Sequence, residues 1–152
     1  MQRLGTAGTD MRNWLNLLAA LLLALVVAAP ADALGKRKKG GQLEAMQVAY
    51  ATAIRWGEFE EAWQLVDPAY REAHPMSESA FERYKHIEIS GYTDKNSSVT
   101  EDGNVLRNVE LRVINKHNMA ERSLRYREEW RWDPEAKRWW LVVGLPDLWN
   151  GE

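Results

Sequence analysis

At Lys85 the apolar residues of this chain stop recurring every three to four positions and begin to alternate. The first pattern predicts amphipathic helices and the second predicts half-buried strands. Helices followed by strands joined through short turns place the chain in the α+β class. The expected architecture is a set of N-terminal helices packed on a curved antiparallel sheet of about four strands.

Before Lys85, Leu43, Met46, Tyr50, Ala53 and Ile54 share one helical face, and Gly57 is a natural stop. Glu58 to Val66 reads as a second, short helix with an acidic start that suits the positive end of a helix dipole. Asp67-Pro68 predicts a capped helical turn to about Ala73, ending before Pro75. Ser79-Ala80-Phe81-Glu82 has the form of a capping box, so a further short helix is expected from Ser77 to Lys85.

Four strands follow. They are expected at His86 to Thr93, at Ser98 to Lys116 (broken or turned at Asp102-Gly103-Asn104), at Ser123 to Trp132 and at Arg138 to Gly144. Asp133-Pro134 suits a turn between the last two. In the third strand Leu124, Tyr126, Glu128, Trp130 and Trp132 share the face expected to meet the helices. Arg125, Arg127, Glu129 and Arg131 share the face expected to meet water. In the second, the aliphatic set Val105, Val109, Leu111 and Val113 is the better core candidate.

Three stretches carry a family resemblance. Ala53-Ile54-Arg55-Trp56-Gly57-Glu58-Phe59-Glu60-Glu61-Ala62-Trp63 has a helix, a glycine break and a second helix. Phe81 to Ile89 leads a short helix into a strand. Trp130-Arg131-Trp132, the Asp133-Pro134 turn and Arg138-Trp139-Trp140-Leu141-Val142 form a closing hairpin. Together they resemble the nuclear transport factor 2-like superfamily, the cystatin-like cone that includes ketosteroid isomerase. The likeness spans roughly residues 42 to 146 and implies helices capping a curved sheet around a conical cavity. Within that superfamily some members are enzymes, many bind small apolar molecules and many mediate assembly, so the fold does not select a function.

Residues 1–33 read as a secretory signal peptide, with Met11 as an alternative start. Arg12 is the positive start, Leu17 to Ala29 an apolar run of 13 residues, and Ala31-Asp32-Ala33 a small-residue cleavage site. The run is short for a bilayer span, which needs about 20 residues. The expected location is outside the cytoplasm, periplasmic in a diderm bacterium, with an N-terminal membrane anchor as the alternative. Residues 34–41, including Lys36-Arg37-Lys38-Lys39, are expected to be a basic flexible linker, and 42–152 a single domain.

Beyond Ala33 the chain has 18 basic and 20 acidic side chains. That balance argues against nucleic acid as the main partner. With no cysteine and three histidines without metal-ligand spacing, neither a disulfide nor a metal site is expected, and no cofactor is.

Glu128 is the sharpest candidate for chemistry, as the one charged residue on an apolar strand face. Buried carboxylates are paired or have a raised pKa. The acid/base reading pairs it with His86; the structural reading pairs it with Arg112, Arg55 or a tyrosine hydroxyl. Tyr50, Trp63, Tyr126, Glu128 and Trp130 are candidates to line a ligand pocket. The alternative for Trp56, Trp63, Trp130 and Trp139 is that they fill a small core. Trp140, Arg131 and Arg127 are candidates for a contact surface on the outer sheet face. Leu145 to Trp149 is expected to fold back over the cone mouth or a sheet edge, or else to dock a partner.

The expected function is an exported, non-catalytic binding domain, holding a small apolar ligand in the cone or an envelope partner protein. The alternatives are a cofactor-free isomerase, dehydratase or hydrolase using Glu128, and a homodimeric assembly module.

Overall fold

The computed structural model describes residues 31–149, so the apolar leader with Arg12 and Met11 lies outside the described residues. The chain divides into two compact units, one up to Lys38 and one from Lys39 onward. Of the first, residues 31–38 are described and are helical. They begin helix α1, Ala31–Trp56.

The linker expected at 34–41 is therefore helical instead. Gly35, Gly40 and Gly41 each disfavour a helix by about 1 kcal/mol relative to alanine. Propagation from a docked segment is far easier than nucleation, which lets the helix extend toward its N-terminus. At Lys39 two contacts hold the turn. The Trp139 indole N–H donates to the Lys39 carbonyl at 2.9 Å, and the Lys39 ammonium lies 5.0 Å from the Trp132 ring centroid.

Helix α1 ends as expected at Gly57, whose φ of 76° is unfavourable for any residue with a Cβ. The Gly57 N–H bonds to the Ile54 carbonyl and the Glu58 N–H to the Ala53 carbonyl, which is the paired closure of a Schellman motif. Tyr50, Ala53 and Ile54 on its inner face are buried. Trp56 is not a core residue: it is 77% exposed, because the helix turns its last position away from the sheet.

Helix α2 spans Phe59–Gln64, α3 Pro68–Ala73 and α4 Glu78–Tyr84. Asp67 caps α3 by accepting from the Ala69 N–H at 2.8 Å. Ser77, not Ser79, caps α4, accepting from the Ala80 N–H at 3.2 Å. The Ser79 hydroxyl pairs with that of Ser77, so the capping-box reading was offset by two residues.

Strands β1 Ile87–Val99, β2 Val105–Asn115, β3 Glu121–Asp133 and β4 Arg138–Leu141 form an open, curved antiparallel meander in the order β1-β2-β3-β4. The Thr100–Asn104 turn separates β1 from β2. Asp94-Lys95-Asn96 thus lies inside β1, where a strand end was expected. The pairing is irregular between Ile89 and Gly91 and again between Asp94 and Asn96, so the strand absorbs these polar residues as bulges. The fourth strand stops at Leu141, short of the expected Gly144.

The connector between α2 and α3 is stitched to β4. Leu141 N–H bonds to the Leu65 carbonyl at 3.1 Å and Asp67 N–H to the Leu141 carbonyl at 2.8 Å. This covers a free sheet edge. The core lies between helices and sheet and includes Ile54, Trp63, Leu111, Trp130 and Leu141. Residues 145–149 fold back over the helix side of the sheet: Leu148 is fully buried, and the Tyr84 hydroxyl donates to the Pro146 carbonyl at 3.1 Å. No helix of the described residues is long and apolar enough to cross a membrane.

Candidate functional site

Strand phase carries Glu128 inward between Tyr126 and Trp130, as the alternation of β3 predicts, and its side chain is completely buried. Its two oxygens are both engaged. The Tyr92 hydroxyl donates to Oε1. The Trp130 indole N–H donates to Oε2 at 2.8 Å, and Arg107 Nη1 stands 3.6 Å from Oε2. Arg107 in turn donates from Nε to Asp94 Oδ2 at 2.7 Å. A chain of charge and hydrogen bonds thus runs from an exposed aspartate on β1, through an arginine on β2, to a buried glutamate on β3.

Burial raises the pKa of Glu128 above the usual carboxylate range, against the opposing pull of Tyr92, Trp130 and Arg107. Burial also raises the Tyr92 hydroxyl far above its usual value, with the Glu128 charge adding to it. Tyr92 therefore stays protonated and remains a donor.

Tyr50 and Tyr126 close the next layer. Their hydroxyls are 2.9 Å apart, and the Tyr126 hydroxyl donates to the Gly144 carbonyl at 2.8 Å. Both hydroxyls are pushed well above the ordinary tyrosine range, first by burial. Tyr50 meets Trp130 edge-on, with ring centroids 5.9 Å apart.

Tyr50, Glu128 and Trp130 present no surface to a water-sized sphere. None of the three lines the concavity on the outer face of the sheet or the one beside Trp149, and their side chains pack against one another. Trp63 is not part of this layer; it packs edge-on against Tyr70 and Phe81 among the helices. His86 does not approach Glu128. It sits exposed before β1 with its ring 4.8 Å from that of His117. Proton transfer by Glu128 requires contact with a substrate, and its side chain is completely buried here.

Tyr92 and Arg107 are the two site residues that sequence reasoning missed. Simple alternation from Ile87 and Ile89 places Tyr92 on the outer side. The bulge before Gly91 shifts the phase, so Tyr92 pairs with Leu111 and points inward. Arg107 did carry a signal: it is the one charged residue in the alternating set of Val105, Val109, Leu111 and Val113.

The outer face of the sheet has a different character. A concavity of about 810 Å³ opens there, lined chiefly by Lys95, Asn96, Asn108, Glu110, Arg125 and Arg127, with Val109 and the expected pocket residue Tyr126 also contributing. Asn96, Asn108 and Arg127 form one row across three strands, and Glu110 and Arg125 belong to the next. Arg127 Nε donates to Asn108 Oδ1 at 3.2 Å, and Asn108 Nδ2 donates to Asn96 Oδ1 at 2.7 Å.

The other proposed contact residues lie further along this face. Arg131 is held by the Asp67 carboxylate. Trp140 is stacked under Arg138, whose guanidinium carbon lies 3.8 Å from the ring centroid, and its indole N–H donates to Asp133 at 3.2 Å. Of the three candidates, only Arg127 lines the concavity. Among the described residues no group of three or more histidine, aspartate or glutamate side chains is placed to hold a metal ion.

No protein family, curated protein or solved structure matches this chain.

Proposed function

We propose that this chain is a non-catalytic binding domain of the nuclear transport factor 2-like type, exported behind its N-terminal apolar segment, and that it holds an envelope protein partner through the outer face of its sheet. One contrast carries this reading. The inner carboxylate is fully buried, accepts from Tyr92 and Trp130 and has Arg107 close by, while the outer face offers a polar concavity of about 810 Å³. Binding sites are concave and keep some polar groups uncommitted. The enzyme alternative requires Glu128 to exchange its partners for a substrate, and a small apolar ligand in the cone requires access to Tyr50 and Trp130, which present no surface.

Site-specific photo-crosslinking in cells tests the face directly. A photoreactive residue at Ser123, exposed on the outer face opposite Arg112, is expected to capture a partner. The same residue at Thr52, exposed on α1, is expected to capture none. Capture from Thr52 alone would reject the outer face. An adduct of twice the chain mass from Ser123 would support the assembly alternative, a second copy of this chain. Mass spectrometry of the recovered protein tests export through the loss of residues 1–33.

A further inference from the structure

The outer concavity carries an imbalance of charge that the rest of the face does not share. Each carboxylate that β2 and β3 place on this face has a partner. Lys95 takes Glu110 at 3.3 Å, Arg112 and the Ser90 hydroxyl take Glu121, and the Asn104 amide takes Glu129 at 2.8 Å. Among the described residues, no carboxylate lies within 4.0 Å of Arg125 or Arg127. Two guanidinium groups without an ion pair therefore stand two residues apart on one face of β3, both exposed and both lining the concavity.

The hydrogen-bond inventory points the same way. Arg127 spends Nε on Asn108, Asn108 spends its amide N–H on Asn96, and the Asn96 oxygen is consumed as acceptor. The row ends in open donors: the terminal nitrogens of Arg127, the amide nitrogen of Asn96 and the whole guanidinium of Arg125. Arginine donates and never accepts. The concavity is thus rich in donors and short of acceptors, and an anion is the ligand that meets it. Two like charges side by side carry a repulsive cost that a bound anion relieves.

We infer that Arg125 and Arg127 form a binding site for an acidic peptide segment of the partner, in extended conformation, with carboxylates at alternate positions. This rests on the outer-face reading above and adds to it the chemistry of the partner. The spacing supports it: side chains two apart on one strand face are separated by about 7 Å, for β3 and for an extended peptide lying along it. Each carboxylate then meets one guanidinium fork, with two parallel N–H···O bonds.

The test uses the chain beyond Ala33 and a fluorescein-labelled peptide bearing aspartate at alternate positions, followed by fluorescence anisotropy. The wild type is expected to bind, and to bind more weakly as salt rises. Arg125→Ala with Arg127→Ala is expected to weaken binding at least tenfold. Arg125→Lys with Arg127→Lys keeps the charge but loses the forks, and is expected to fall between. Both sites are exposed, so an unchanged thermal midpoint will show that the fold is intact.

Absence of wild-type binding, or equal affinity in the double alanine variant, would overturn the inference. Full affinity in the double lysine variant would overturn it too, by reducing the site to net charge. Capture from Ser123 alongside a failed peptide titration would remove the acidic-peptide assignment and leave the outer-face reading standing. Loss of both would remove both.

Discussion

Tyr92 reaches Glu128 from two strands away: β1 and β3 are separated by β2, yet the Tyr92 hydroxyl donates to Glu128 Oε1. The curvature of the sheet and the bulge before Gly91 bring them together. A hydrogen bond to a charged group contributes about 1.5–3 kcal/mol. Tyr92→Phe is therefore expected to destabilise the domain by about 1.5–3 kcal/mol. Glu128→Ala also leaves the Trp130 indole N–H without its acceptor and Arg107 without its buried counter-charge, and is expected to cost about 3–5 kcal/mol. Urea unfolding of both variants checks the order; a Glu128→Ala variant as stable as wild type would rule out the anchor role.

The pH dependence of stability has a defined sign at this site. The folded-state pKa of Glu128 lies above its ordinary value, chiefly through burial. Between the two values the folded state binds more protons than the unfolded one, so stability falls as pH rises. The contribution of Glu128 is fully present below the ordinary carboxylate range and is lost as pH rises through the folded-state value. Asp133 has the opposite sign. Backbone N–H groups of Ala136 and Glu135 hold it below its ordinary range, so its contribution is lost as pH falls. Comparing wild type with Glu128→Gln from about pH 4 to about pH 8 isolates the first effect. The stability of wild type relative to the variant is expected to decline with rising pH; an increase would refute the assignment.

Asp67 serves two structures at once. It caps α3 through the Ala69 N–H and holds Arg131 on β3. Asp67→Ala is expected to cost about 1–2 kcal/mol from the cap alone. Asp67→Asn keeps a capping oxygen and is expected to cost less. Arg131→Ala is expected to cost less than about 1 kcal/mol, because the arginine is largely exposed. Thermal midpoints of the three variants test this ranking.

The C-terminal segment contributes to the core. Leu148 is fully buried, Arg122 donates to the carbonyls of Leu148 and Trp149, and Trp149 meets Tyr84 edge-on at 4.8 Å. Leu148→Ala is expected to destabilise by about 2–5 kcal/mol, the range for a large-to-small change in a packed interior. Denaturant titration checks this; a change below about 0.5 kcal/mol would place the segment outside the cooperative unit.

Period and punctuation made much of the fold legible. Gly57 and Asp67-Pro68 marked real element boundaries because their local chemistry has few alternatives. The inner face of β3 was readable because alternation is rigid within an unbroken strand. The linker was misread because glycine and charge describe only local preference, and a docked helix overrides it. Tyr92 was misplaced because a bulge leaves no sequence signature as strong as alternation itself. Trp56 was misassigned to the core because its position at the end of a helix decides its exposure.

By itself, the sequence determined the class of the fold, the order of its elements and the inward placement of Glu128. Those follow from period, caps and turns, which act over a few residues. Tertiary structure alone decided what Glu128 touches, how deeply it is buried, and that Arg125 and Arg127 stand without an ion pair in a concavity. Those depend on strand register, bulges and packing between residues far apart in the chain, which no local pattern encodes.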